Sequence, residues 1–571
     1  MNKILKTVIC LFIFINLSAC NNQSNEEVVE GYMGDIRVKV DFKDNKIENI
    51  SILESNETLE VGMYAMEQII DNIIEKQSVD VDIIAGATIS SKALISAVDK
   101  IIKKSNINLV SNEINDEDSL KETNDYYYDV VVVGGGGAGL TSAATAAMYG
   151  KKVALIEKTE ALGGNTLIAT AMYNCVDPKL QEKYGIHDSE ELFFEETYYG
   201  GHQKDKKELV KILTSQADEG LEFLKSLGLN IKPKIDNCLG GKHARGHFSK
   251  ATNGTDYIQV LHESCKENGV EIFLNTKAYE LISKDGRVIG VRTIKNKEIT
   301  NYYANSVILA TGGFGYNVEM RMKYDKSLTG DMLCSNTPST LGEGIQMAEE
   351  INASLINMQY IELYPMADVH DGGLHNSIPN AMNKGIMVNK EGKRFIREDA
   401  RRDELSKSIQ TQNEGFVYAI VDDDYSNEIE ERDFLKGLVM MGHVKKADSI
   451  EELAIMLDMD PEILKETINE YNHAVEMSND NKFGRLTLEN KIDKAPFYAN
   501  AKTVTIHHTL GGIEINENTQ VIDNNQKIIE GLFACGEVTG GIHGANRLGG
   551  NSFPDIIVFG RIAGKNAALM Q

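Results

Sequence analysis

A chain of 571 residues is long enough for about three or four compact units, so core burial does not limit what it can build. Its formal charge of −26 at pH 7 disfavours nucleic acid and anionic membrane surfaces as partners, and no basic stripe relieves that repulsion; a small-molecule partner fits better. Seven widely scattered cysteines without a CxxC argue against a disulfide framework, a zinc knuckle or haem attachment.

The chain opens with secretion grammar: Lys3 and Lys6, an apolar run through Ile15, then Leu17-Ser18-Ala19-Cys20. The run is too short to span a bilayer. Leu-Ser-Ala-Cys resembles a bacterial lipoprotein lipobox, which implies a signal peptide over 1–19, lipid on Cys20, a tether over 20–30 and an extracytoplasmic cell-membrane lipoprotein. A plain signal peptide is the alternative.

From Gly31, alternation of Ile36, Val38, Val40 and Phe42, a turn at Asp44-Asn45, and Ile47, Ile50 and Ile52 predict a β-hairpin. Met63, Met66, Ile69 or Ile70, and Ile73 or Ile74 mark one amphipathic helix, and Leu94, Val98 and Ile101 another starting near Lys92. Between them, Asp82 to Ser91 resembles the attachment motif of FMN-binding domains, which implies covalent FMN on Thr88 and a flavin transferase to attach it. Without that likeness, Thr88, Ser90 or Ser91 reads as a helix cap. The FMN-binding domain is thus expected over 31–104, and the Asn-, Asp-, Glu- and Ser-rich residues 105–125 read as a linker.

A buried strand, Val130–Val133, runs into glycines that include Gly134, Gly136 and Gly139. A second strand, Val153–Ile156, ends on Glu157, about twenty residues on; together they form a dinucleotide-binding βαβ unit. The glycines allow a tight turn and close approach to a pyrophosphate, and Glu157 suits a ribose hydroxyl. Leu162-Gly163-Gly164-Asn165-Thr166, and a strand at Ser306–Leu309 ending in Ala310-Thr311-Gly312-Gly313, favour FAD over NAD. Near the C-terminus, the glycine-dense stretch Gly536 to Asp555 reads as a binding-site wall carrying one arginine, Arg547, with helical periodicity resuming at Ile556. His507-His508 has no third ligand nearby, so no metal is expected there. His243 and His247 read as part of a polar loop near the flavin.

With these motifs, Gly392-Lys393-Arg394-Phe395 before Arg401-Arg402-Asp403, and His507 to Gly512, the mature chain resembles the fumarate reductase flavoproteins of the flavocytochrome c type. With its FMN module it resembles the extracytoplasmic flavin-dependent enoate reductases related to them. The resemblance implies an α/β fold: a Rossmann-like FAD-binding domain over 126–359 and 507–571, an inserted α+β capping domain over 360–506, and the small N-terminal α+β FMN-binding domain. It implies non-covalent FAD held by the phosphate-loop residues Gly134, Gly136, Ala138 and Gly139 and by Glu157 and Lys158. Gly164, Asn165, Thr166, Ala278, Thr311 and Gly312 follow, and His508, Glu537, Ser552 and Phe553 complete the set. Arg547 and His507 would bind a substrate carboxylate, drawing electrons from a conjugated C=C; flavin N5 would deliver hydride to the β carbon, and Arg402 would protonate the α carbon. FMN would admit electrons from a membrane donor or a flavin-based chain. By itself, the charged run around Arg402 reads as a solvated helix face.

Departures from the family pattern bear on substrate. Tyr364 stands where fumarate reductases have a histidine, Ser377 where they have threonine, Ile378 where they have glutamate and Ala381 where they have arginine. A second carboxylate facing Ile378 would be unpaired, at a cost of roughly several kcal/mol. A monocarboxylic enoate of cinnamate type is therefore expected ahead of urocanate and fumarate. A ketosteroid-type dehydrogenase and a non-catalytic electron-transfer flavoprotein are the readings from other classes. Glu398 or Asp399 is expected to relay protons to Arg402.

Overall fold

The computed structural model describes residues 25–570 apart from 31–34, 44, 56–63, 80, 82–87, 106, 108, 110–120, 252 and 379–380. The expected signal peptide, Cys20, Met63 and the Asp82 to Ala87 part of the expected attachment motif lie outside the described residues. The chain divides into two compact units, Met1–Asp116 and Glu117–Gln571.

In the first unit, strands Glu26–Glu30, Asp35–Lys43 and Lys46–Glu54 form an antiparallel sheet in that order. The strand Glu26–Glu30 corrects the expectation of a tether over 20–30: its backbone pairs with Asp35–Lys43 from Glu26↔Lys39 to Glu30↔Asp35. Helices Tyr64–Lys76 and Thr88–Ser105 bring Met66, Ile69, Ile73, Leu94, Val98 and Ile101 against Ile36, Val38, Val40, Ile47 and Ile50. Each such side chain, fully buried, contributes about 1.5–3 kcal/mol. Gln77 closes the end of this core, its amide accepting from Ile47 N (2.6 Å) and donating to Ile47 O (2.9 Å). The second helix starts at Thr88 rather than near Lys92, so Ser90 and Ser91 lie inside its first turn.

In the second unit, Glu271–Phe273, Val153–Ile156, Lys121–Val133, Glu298–Leu309 and Ile528–Ala534 lie side by side and parallel. The continuous valine run Val130–Val133 suits a strand covered on both faces. Its strand begins at Lys121, inside the expected linker, because register continues down Glu298–Leu309. There Tyr126 stacks on Tyr302 (5.4 Å) and Tyr127 on Tyr303 (5.3 Å). The small-residue helix Gly137–Met148 is buried almost throughout and packs on the C-terminal helix Ser552–Leu569. A Cβ at Gly560 would lie 2.9 Å from Thr141 Cβ, which shows how closely the two helices approach. The last helix starts four residues before Ile556, with Pro554 in its first turn, where a proline costs no hydrogen bond.

Residues 361–509 hold a second, antiparallel sheet: Ile361–Asp368, Phe497–Thr509, Phe416–Val421 and Ile386–Val388, with Val444–Ala447 also on Phe497–Thr509. Helices cover it over two hydrophobic clusters of its own. The strand Phe497–Thr509 runs through the expected 506/507 domain boundary and ends beside the carboxyl ends of the parallel strands, where ligands of such sheets bind.

Candidate active site

A cavity opens at those carboxyl ends. Gly134, Gly136 and Ala138 line it, with Glu157, Lys158, Gly164, Asn165, Thr166, Ala278, Thr311 and Gly312. His508, Glu537, Ser552 and Phe553 complete the wall, joined by His507 and Arg547. Gly139 does not line it: a Cβ there would run into Gly134 O, so this glycine brings the helix onto the strand end. Thr337, Ser339, Thr340 and Glu343 also line the cavity; only their turn-rich, hydroxyl-rich setting hinted at it. Glu157 accepts from Gly135 N (2.7 Å) and Thr159 N (2.8 Å), fixing the phosphate loop to the second strand. Asn165 Oδ1 accepts from Thr337 N (2.8 Å), and Lys158 Nζ pairs with Glu343 (2.6 Å). The cradle fits FAD: a Cβ at Gly164 or Gly312 would meet nothing within 4 Å, and the buried Thr311 Oγ1 and His508 Nδ1 have no partner in the protein.

At one wall the charged residues converge. Glu362, on Ile361–Asp368 and 5% exposed, accepts from Arg402 Nη1 (2.6 Å) with one carboxylate oxygen. With the other it accepts from Arg547 Nε (3.0 Å), and Arg547 Nη2 forms an ion pair with that same oxygen (2.8 Å). Arg402 opens the helix Arg402–Gln410; its Cζ lies 5.0 Å from the Tyr364 ring centroid, and that ring lies 5.2 Å from the His507 ring. Arg402 Nε is buried without a partner in the protein. Gly549 admits the guanidinium, since a Cβ there would lie 2.9 Å from Arg402 Nη2. Ser335 Oγ sits 2.8 Å from His507 Nδ1 and also donates to Ile506 O (3.1 Å), which holds the imidazole in place beside its own strand.

Burial alone would raise the Glu362 carboxyl, but Arg547, Arg402 and His507 together hold it at about 2. Burial draws His507 down to about 3, assisted by Arg547 and Arg402 and opposed by Glu362, so its imidazole is neutral at pH 7. Burial raises the Tyr364 phenol, which therefore keeps its proton as a donor. Burial also pushes Glu537 up to about 7 against donation from Thr509 N (3.0 Å). Beside this polar cluster, Ile378 and Ala381 are buried in an apolar cluster with Met366, against which Leu239, Leu363 and Tyr364 pack. The charged cluster and the apolar cluster thus adjoin at Tyr364.

Several expectations change. Glu398 is committed to Arg394 (2.7 and 2.8 Å) and Arg485 (3.1 Å), and Asp399 to Arg397 (2.7 Å) and the Leu486 N–H (2.7 Å); neither bonds Arg402. Glu362 does so, and the sequence reading passed over it, although it stands two residues before Tyr364 on one strand. His247 lies buried on the strand Gly246–Phe248 with Nδ1 at Arg245 O (2.8 Å), and His243 pairs with Glu196 (3.1 Å); neither lines the FAD cavity. Thr88 is the first residue of its helix. No cluster of His, Cys, Asp and Glu fit for a metal occurs among the described residues.

Residues 129–553 match the FAD binding domain family, and residues 31–103 match the FMN-binding domain. The chain belongs to the FAD-binding flavoprotein oxidoreductases of the fumarate reductase type, with FAD and FMN as cofactors. The urocanate reductase of Eggerthella lenta is 34% identical over 95% of this chain and 91% of its own length, so likeness extends through both modules. The NADH:acrylate oxidoreductase of Vibrio harveyi is 32% identical over 94% of this chain, which spans only 60% of that relative. Among solved structures, the open conformation of a flavocytochrome c3 fumarate reductase matches 78% of this chain and 78% of its own at 36% identity and a TM-score of 0.65.

Proposed function

We propose that this chain reduces the C=C bond of a monocarboxylic 2-enoate, such as an arylacrylate of cinnamate type, as a respiratory electron acceptor outside the cytoplasm. The observation that carries the reading is the convergence of Arg402, Arg547, His507 and Tyr364 around Glu362, with His507 and Arg547 lining the FAD cavity. FAD, when bound, supplies hydride, and FMN supplies the electrons that replenish it. Arg547 and neutral His507 grip one substrate carboxylate and withdraw electron density from the conjugated bond. Arg402, kept charged by Glu362, gives a proton to the α carbon. Ile378 and Ala381 receive an uncharged distal group. Urocanate is the second reading, favoured by the relative matched along nearly its full length; the apolar setting of Ile378 offers its imidazole no acid.

An extracytoplasmic lipoprotein anchored through Cys20 fits the first twenty residues. FMN attached to Thr88 by a flavin transferase is supported by the motif and by the helix that Thr88 opens, since a phosphate is favoured at a helix N-terminus. A membrane donor or a flavin-based chain would then feed FMN.

Arg402→Ala tests the assigned chemistry. With a viologen donor, enoate turnover should fall by about 10²–10⁴-fold while the visible spectrum still reports bound FAD. Turnover retained at the wild-type rate would refute Arg402 as the acid.

A further inference from the structure

We propose that Glu362 sets the charge the site accepts: by claiming one of the two positive charges of Arg402 and Arg547, it leaves room for one substrate carboxylate and opposes a second. The inference rests on the enoate reading above, but on an observation independent of Ile378 and Ala381. Glu362 is buried, and both its oxygens are engaged, one by Arg402 and one by Arg547. Flanked by two guanidiniums, it is an anion throughout the assay range. His507 is neutral and Tyr364 keeps its proton. The cluster therefore carries a net charge of about +1, matched to a monoanion.

Free donors remain for that monoanion. Arg402 Nε has no partner in the protein, and Arg547 meets Glu362 through Nε and Nη2, not through Nη1. Lys502 does not supply the missing charge, because its ammonium is turned to Asn376 O (2.9 Å) and Ser377 Oγ (2.8 Å) and its strand position pairs with Asp368. A dianion would bring its second carboxylate to a site already neutralised and would meet Glu362 as a like charge, the repulsive element that specificity needs.

The test compares fumarate with monomethyl fumarate, which keep one carbon skeleton and differ by one charge. Dissociation constants are read from flavin difference spectra of the oxidised holoprotein, without turnover. The wild type should bind the monoester at least about tenfold more tightly than the diacid. Glu362→Gln, retaining FAD, should erase or invert that ratio, and Glu362→Asp should keep it. Glu362→Met serves as the second neutral variant should the Gln variant lose FAD. An unchanged ratio in a neutral variant, or a wild type that prefers fumarate, overturns the proposal. Discrimination without any enoate turnover would instead overturn the reductase reading and leave the charge assignment standing; a holoprotein that binds neither compound overturns both.

Discussion

Lys502 is a buried cation with hydrogen bonds to Asn376 O and Ser377 Oγ and, among the described residues, no carboxylate at ion-pair distance. Burial lowers its ammonium to about 7 against the weaker pull of Asp368 and Asp371. The unfolded chain holds this proton up to the ordinary lysine range, so between the two values it binds more protons than the folded protein, and stability rises with pH. Relative to Lys502→Met, the wild type should gain about 2 kcal/mol between pH 7 and 9, read as a growing difference in thermal midpoint; a constant difference would contradict the assignment. Lys502 gave no signal in the sequence, because the burial of a lysine inside a strand depends on which segment the strand meets. Glu362 was missed for a similar reason: its two arginines come from residues 40 and 185 positions away. Arg402 reads locally as a solvated face, and only the family likeness separated it from its charged neighbours.

At the scale of elements, local pattern worked where a segment buries its apolar residues on one face or on both. The hairpin, the two amphipathic helices of the first unit and the valine strand stand where alternation and 3.6-residue periodicity put them. It erred at ends. Glu26–Glu30 and Lys121–Asp125 are polar segments that become strands because a neighbouring backbone offers a ladder, and composition does not carry that information. The glycines of the phosphate loop were legible as a motif, whereas their separate duties were not. Gly164 and Gly312 leave space, but Gly139 removes a side chain from the path of Gly134 O. The glycine-dense stretch Gly536 to Asp555 likewise has two functions, lining the FAD cavity through Glu537 and Arg547 and clearing a place for Arg402 at Gly549.

At the scale of the molecule, two flavin modules lie in one chain, so electron entry and substrate reduction should be separable by mutation. Thr88→Ala should abolish the covalent flavin adduct seen by mass spectrometry in cells that hold a flavin transferase, and with it turnover from the physiological donor. Turnover from an artificial donor that reduces FAD directly should stay within about twofold of wild type, since the FAD cavity is built wholly from residues after 132. An intact adduct in the variant would refute the attachment site. The central claim, reduction of a monocarboxylic 2-enoate, is tested most directly by reducing the holoprotein with dithionite and following flavin reoxidation by cinnamate, acrylate, urocanate and fumarate in turn. Fast reoxidation by a monocarboxylic enoate, with fumarate slowest, is the predicted result; reoxidation by fumarate alone, or by none of them, would contradict it.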